Sequence, residues 1–151
     1  MTKNDASQLI LKEFLPYRLS YLDNMIGQEL ARLYTDDFGI THAEWRVMAV
    51  VGRTSGVSAA YVADKTAMDK VAVSRAINNM IENKIISRSF SSEDRRRSIL
   101  KLSKAGQEIY LKIVPLVQDY EKKLLESLTT SESNSLNNIL SKLTNYVDKK
   151  A

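Results

Sequence analysis

Ser91-Ser92-Glu93-Asp94-Arg95-Arg96-Arg97-Ser98-Ile99-Leu100-Lys101-Leu102-Ser103 reads as a cationic tip running into a short strand, Ser98 to Leu102. The residues just before it, Ile85-Ile86-Ser87-Arg88-Ser89-Phe90, put β-branched and aromatic side chains in a short run that suits the antiparallel partner strand. Two strands joined through three consecutive arginines make a β-ribbon with a positive end. Upstream, Ser58 reads as the N-cap of a short helix through about Thr66, Ala67-Met68 as a turn, and Asp69 as the cap of a helix from Lys70 to about Asn83. A helix pair of this kind followed at once by a cationic ribbon points to a protein that grips duplex DNA at two places.

Charge supports that reading. The net charge is +4 over 151 residues, but residues 84–104 alone hold seven Lys and Arg against Glu93 and Asp94. That segment is +5 and the rest of the chain −1. Localised positive charge is the footprint expected of a polyanionic partner. A charge run is also what a solvated loop shows, and the helix pair in front of this one sets it apart.

Composition excludes other classes. Apolar and charged fractions of 44% and 26% are those of a globular chain. No run of 18 apolar residues exists to span a membrane, and the polar stretch Met1 to Ser7 has no secretory core. Without cysteine there is no disulfide and no thiolate metal site, and these features together favour the cytoplasm. One histidine, no nucleophile elbow, no phosphate loop, no H-E-x-x-H and no metal-ligand cluster argue against an enzyme and against any cofactor.

The flanks read as long helices. Leu9 to Tyr34 carries Leu9, Ile10, Phe14, Leu15, Leu19, Leu22, Met25, Ile26, Leu30 and Leu33 at helical spacing, with a break expected near Pro16. Thr41 and Glu44 form a capping box for a helix from His42 to about Arg53 that buries Trp45, Met48, Ala49 and Val51. Ser103 to Gly106 opens a helix to about Leu128, kinked at Pro115, and Thr130 or Ser131 caps a last helix. The expected fold is mainly α with a small β-wing. A winged helix-turn-helix over about 41–103 is flanked by N- and C-terminal dimerisation helices, about 7–35 and 104–148, in a single domain. The outer helices carry more apolar stripe than one small winged helix covers, and such surface marks an interface. A two-fold dimer sets its recognition helices about one DNA turn apart, roughly 34 Å.

On the helix from Lys70, Val73, Ile77, Met80 and Ile81 fall on one face, expected to pack on Val62, Ala63 and Thr66. Val71, Ala72, Arg75, Asn78 and Asn79 fall opposite, with Ser74 at the edge. Arginine takes guanine in a bidentate pair, asparagine takes adenine, and small apolar groups meet thymine methyls. Arg75, Asn79, Val71 and Ala72 suit those tasks, while Lys70 and Ser74 suit phosphates, which position without specifying. A wing arginine suits the negative minor groove. The rival is a winged helix that binds protein without specific DNA binding. It calls for an acidic or apolar outward face and a neutral wing, and Arg75 with Arg95, Arg96 and Arg97 opposes it.

Asp94-Arg95-Arg96-Arg97-Ser98-Ile99-Leu100-Lys101-Leu102-Ser103-Lys104-Ala105-Gly106 resembles the D-x-R wing and following L-[ST]-x-x-G helix start of the MarR family of bacterial winged-helix regulators. Val73-Ser74-Arg75 is similar to that family's recognition-helix core, and Glu44-Trp45-Arg46-Val47-Met48 to its second helix. The resemblance implies a homodimer on a pseudo-palindromic operator in double-stranded DNA. It implies a repressor in most members, and in many of them release by a small phenolic or aromatic-acid effector. It also implies that Asp94 braces the wing by pairing with an arginine and that Arg96 enters the groove. Lys84 stands where the family usually has glycine, so Lys84 or Asn83 must take a left-handed conformation. The family's cysteine-based peroxide sensors are excluded. For an effector, Tyr17, Arg18, Tyr21, His42, Trp45, Arg46 and Tyr110 are residue types that suit an aromatic carboxylate. The alternative is that Trp45 and the tyrosines are packing, that Arg46 pairs with a carboxylate and that His42 is structural.

Overall fold

The computed structural model describes residues 8–94 and 97–149. Two of the tip arginines, Arg95 and Arg96, lie outside the described residues. The elements run α1 (Leu15–Phe38), α2 (His42–Arg53), α3 (Ala59–Thr66), α4 (Lys70–Glu82), β1 (Ile86–Phe90), β2 (Ser98–Leu102), α5 (Lys104–Leu125) and α6 (Thr130–Asp148). This is the mainly α winged helix-turn-helix expected of the sequence. The chain divides at Pro115 into two compact units, residues 1–114 and 115–151.

Two helix starts differ from expectation. Residues 9–14 do not continue α1 backwards, because α1 begins at Leu15 with Pro16 in its first turn. Proline's fixed φ suits that position, and its missing N–H would be unpaired there anyway, so Pro16 starts the helix instead of breaking it. In α6 the N-cap is Thr129, not Thr130 or Ser131. Its side chain accepts the Glu132 N–H, and the Glu132 carboxylate accepts the Thr129 N–H.

The first unit holds the core. Tyr34, Ile40, Val47, Met48, Val51, Val62, Val73, Ile77, Met80, Leu100 and Ile113 are fully buried. Val47 and Ala76 join the expected core faces of α2 and α4, and Ile81 is only half-buried. Each helix of the motif is capped by its own sequence. The Thr41–Glu44 box opens α2, Ser58 accepts the Tyr61 N–H at 3.1 Å, and Asp69 accepts the Val71 and Ala72 N–H groups at 2.8 and 3.1 Å. The α3–α4 turn passes through Ala67 at φ 52°.

The ribbon is fixed at its root. β1 and β2 pair antiparallel from Ile86 opposite Leu102 to Phe90 opposite Ser98. On the far side of β2, Val57 exchanges two backbone hydrogen bonds with Leu100, at 2.7 and 3.2 Å. Lys84 is the left-handed residue, at φ 60°, while Asn83 stays at −82°. The Lys84 N–H donates to the Ile81 carbonyl and the Ile85 N–H to the Met80 carbonyl, at 3.0 and 2.8 Å. Those two bonds are a Schellman closure, which serves the last carbonyls of α4 and drops Ile85 and Met80 into the core. Ser103 then ties α5 to the same point. Its hydroxyl donates to the Lys84 carbonyl and accepts the Gly106 N–H, and its N–H donates to the Ile85 carbonyl.

The second unit comprises α6 and the part of α5 from Pro115 onwards. None of the residues of α6 is buried, and Leu136, Ile139, Leu140, Leu143, Tyr146 and Val147 are exposed along it. In the first unit, Leu15, Tyr17, Leu19, Tyr21, Leu22 and Met25 of α1 are exposed in the same way.

Candidate nucleic-acid interface

On α4, burial separates two faces. Val73, Ala76, Ile77 and Met80 are buried, while Lys70, Val71, Ser74, Arg75, Asn78 and Asn79 are exposed and Ala72 is half-buried. Val71 keeps 65% of its surface in water. Among the described residues, no ion pair engages Arg75 or Lys70. The cap by Asp69 fixes where the first turn of α4 begins, so Lys70, Val71 and Ala72 are held at the end that the α3–α4 turn presents.

The wing supplies a second cationic element. Arg97 is exposed, its N–H donating to the Asp94 carbonyl at 3.0 Å and its carbonyl accepting the Ser91 N–H at 2.9 Å. Asp94 thus closes the tip loop through its backbone.

The residues suggested for an effector fall into three places. Tyr17 and Tyr21 stack on α1 with ring centroids 6.1 Å apart and, with Lys12 and Arg18, line a concavity of about 430 Å³. His42 and Arg46 line another of about 450 Å³ with Asp23, Asn24, Gly27 and Gln28. Trp45 lines neither concavity. It is buried between Tyr34 and Tyr110, at 5.7 and 6.1 Å between ring centroids. Tyr34 Oη and His42 Nδ1 share a hydrogen bond of 2.6 Å. Burial lowers the His42 pKa and nearby Arg46 lowers it further, against Asp23, which favours the neutral ring. Burial also pushes the Tyr34 phenol up to about 12, against Arg46. Arg46 Nη2 donates to the Thr66 carbonyl at 2.7 Å, at the end of α3.

Most of the chain matches a solved relative. The crystal structure of a MarR/EmrR family transcriptional regulator from Acinetobacter sp. ADP1 is 32% identical, with a TM-score of 0.86 over 93% of this chain and 99% of that one. The chain belongs to the MarR family. It is a DNA-binding transcriptional regulator and not an enzyme. The MarR family model matches residues 38–97, from the end of α1 into the wing. A putative transcriptional regulatory protein for the hcr operon of Thauera aromatica is 24% identical over 116 residues, 77% of this chain and 70% of that protein. A mutant MarR from E. coli complexed with operator DNA shares the fold, with 24% identity and a TM-score of 0.73 over 90% of this chain and 99% of that one.

Within this MarR-family chain the wing-to-α5 glycine has a plain steric reason. A Cβ on Gly106 would lie 2.1 Å from the Ile85 carbonyl oxygen. Sequence reasoning missed two features near the interface. One is the Arg46–Thr66 bond, which links positions 20 residues apart and which no pattern marks. The other is the exposed pair Arg88 and Phe90 on β1, which period-two alternation places on one face.

Proposed function

We propose that the protein acts in the cytoplasm as a homodimeric repressor that binds a pseudo-palindromic operator and releases it when a small aromatic acid binds. The observation that carries the reading is the two-faced α4, with an exposed polar face beside a cationic ribbon. In this reading Arg75, Asn78, Asn79, Val71 and Ala72 meet base edges in the major groove, and Lys70 and Ser74 hold phosphates. Arg95, Arg96 and Arg97 hold the minor groove, with Asp94 bracing the tip. The dimer reading rests on the exposed apolar residues of α1 and, separately, of α6. The effector reading rests on Arg46 and His42 lining the concavity of about 450 Å³, with Tyr17 and Tyr21 in the second one and Trp45 as packing between Tyr34 and Tyr110.

Gel shifts on duplexes from the chain's own upstream region test the central point. One duplex bound far more tightly than the rest, with affinity falling steeply in salt, is the expected result. Equal weak binding to every duplex refutes sequence-specific recognition. Sedimentation is expected to give a dimer at micromolar concentration, and a monomer removes that part of the reading. Phenolic acids are expected to raise the melting temperature and release the duplex.

A further inference from the structure

The wing carries a feature that its arginine tip does not account for. β1 is buried only at Ile86, and Ser87, Arg88, Ser89 and Phe90 are all exposed. By strand alternation Ile86, Arg88 and Phe90 share one face with Leu102, Leu100 and Ser98 of the partner strand. At the root of the ribbon this face belongs to the core, since Ile86 and Leu100 are buried to 2% and 0% exposure. At the far end the ribbon has left the core. Phe90 is 65% exposed there, and its cross-strand neighbour Ser98 is too small to cover a ring. One position back on the same face, the Arg88 guanidinium is exposed and, among the described residues, has no ion pair. The ring and the cation are two residues apart, roughly 7 Å along the strand.

A ring left 65% exposed contributes little to folding, and an unpaired cation beside it favours an acidic partner. Deoxyribose walls lined by phosphates offer both complements, and minor-groove proteins insert apolar side chains between base steps. We propose that Arg88 and Phe90 form a second DNA-contacting strip on the wing, with Arg88 on a backbone phosphate and Phe90 against the sugar wall of the minor groove. The strip lengthens the wing's footprint from the tip back along β1. It rests on the DNA-binding reading of α4 and the wing.

The two side chains leave different signatures, which makes the proposal testable with the full-length protein. Binding to the duplex that the wild type prefers is measured by fluorescence anisotropy across a salt series, alongside thermal melts. Phe90→Ser is expected to weaken binding about tenfold, in keeping with the partial burial of one aromatic ring, with the salt slope unchanged. Arg88→Gln is expected to flatten the slope by about 1.8 for the bound dimer, the share of one phosphate in each half-site. Melting temperatures are expected to stay at the wild-type value, because both side chains face water. Wild-type binding with both variants within twofold of it and an unchanged slope overturns the strip while leaving the DNA-binding reading intact. If Phe90→Ser lowers the melting temperature in step with affinity, the ring acts within the fold and the proposal fails. Absence of wild-type binding to any duplex refutes the DNA-binding reading itself.

Discussion

Replacing Gly106 with alanine tests how the wing root is held. The new Cβ would sit 2.1 Å from the Ile85 carbonyl oxygen, 3.1 Å from its carbon and 3.2 Å from Ile85 Cγ2, where real Cβ atoms essentially never come under 3.0 Å. The obstacle is backbone, so no rotamer relieves it, and α5 must move away from the β1 root by about an ångström. That same carbonyl accepts the Ser103 N–H at 2.9 Å. The Ser103 hydroxyl beside it donates to Lys84 at 2.6 Å and accepts from Gly106 at 3.0 Å. Two or three hydrogen bonds stretch together, each contributing ~1 kcal/mol, so a loss of ~2–4 kcal/mol is expected, with overpacking included. For a chain of this size that corresponds to roughly 5–12 °C in melting temperature. Gly39→Ala is the control. Gly39 has φ +65° but nothing within 4 Å of its Cβ position, so only the left-handed penalty of ~1 kcal/mol applies. Thermal and urea melts of both variants decide the matter. If Gly106→Ala melts within a degree of wild type, or no lower than Gly39→Ala, close packing of α5 on Ile85 is not what holds the wing root.

Lys84→Gly is expected to stabilise the protein by ~0.5–1 kcal/mol, because relief of the left-handed strain at φ 60° exceeds the added freedom of the unfolded chain. A lower urea midpoint would refute that. Arg75→Ala is expected to relax base preference at one position of each half-site, costing ~1–3 kcal/mol there, as read by competition among single-base variants of the duplex. An unchanged preferred sequence removes Arg75 from the reading face. His42, held below its usual 6.5, is protonated first in the unfolded chain as pH falls past that value. Its contribution to stability is therefore full above pH 6.5 and lost below it. The loss of stability as pH falls below 6.5 is expected to shrink in His42→Gln, and an identical pH profile would refute it.

The local code of this fold is legible because it is written in short-range pairs. Thr41 with Glu44, Ser58, and Asp69 each name a helix start within three residues, and each cap forms. The paired strands follow from two short runs on either side of a charged tip. Pro16 shows where such reading fails. The apolar residues on its N-terminal side keep helical spacing, so periodicity extends the helix to Leu9, but only the proline's geometry decides between a kink and a start. Ala76 was missed from the core face of α4 for a related reason, since a methyl group weighs little in a hydrophobic pattern yet is nearly fully buried.

The suggested effector residues expose a deeper limit. Spacing along a helix says which side chains share a face and nothing about what that face meets. Trp45 and Arg46 are adjacent in sequence, and both suit an aromatic carboxylate by residue type. The helix turn between them sends Trp45 between the rings of Tyr34 and Tyr110 and leaves Arg46 at the edge of a concavity. There the guanidinium donates to the backbone carbonyl of Thr66 and, among the described residues, forms no ion pair with a carboxylate. A carbonyl acceptor carries no mark in a sequence, since every residue has one. Its availability is set by Ala67, whose left-handed turn ends α3 one residue later. Arg46 therefore braces the turn that aims α4, and its residue type, which suggested a ligand, equally serves the helix pair that the wing accompanies.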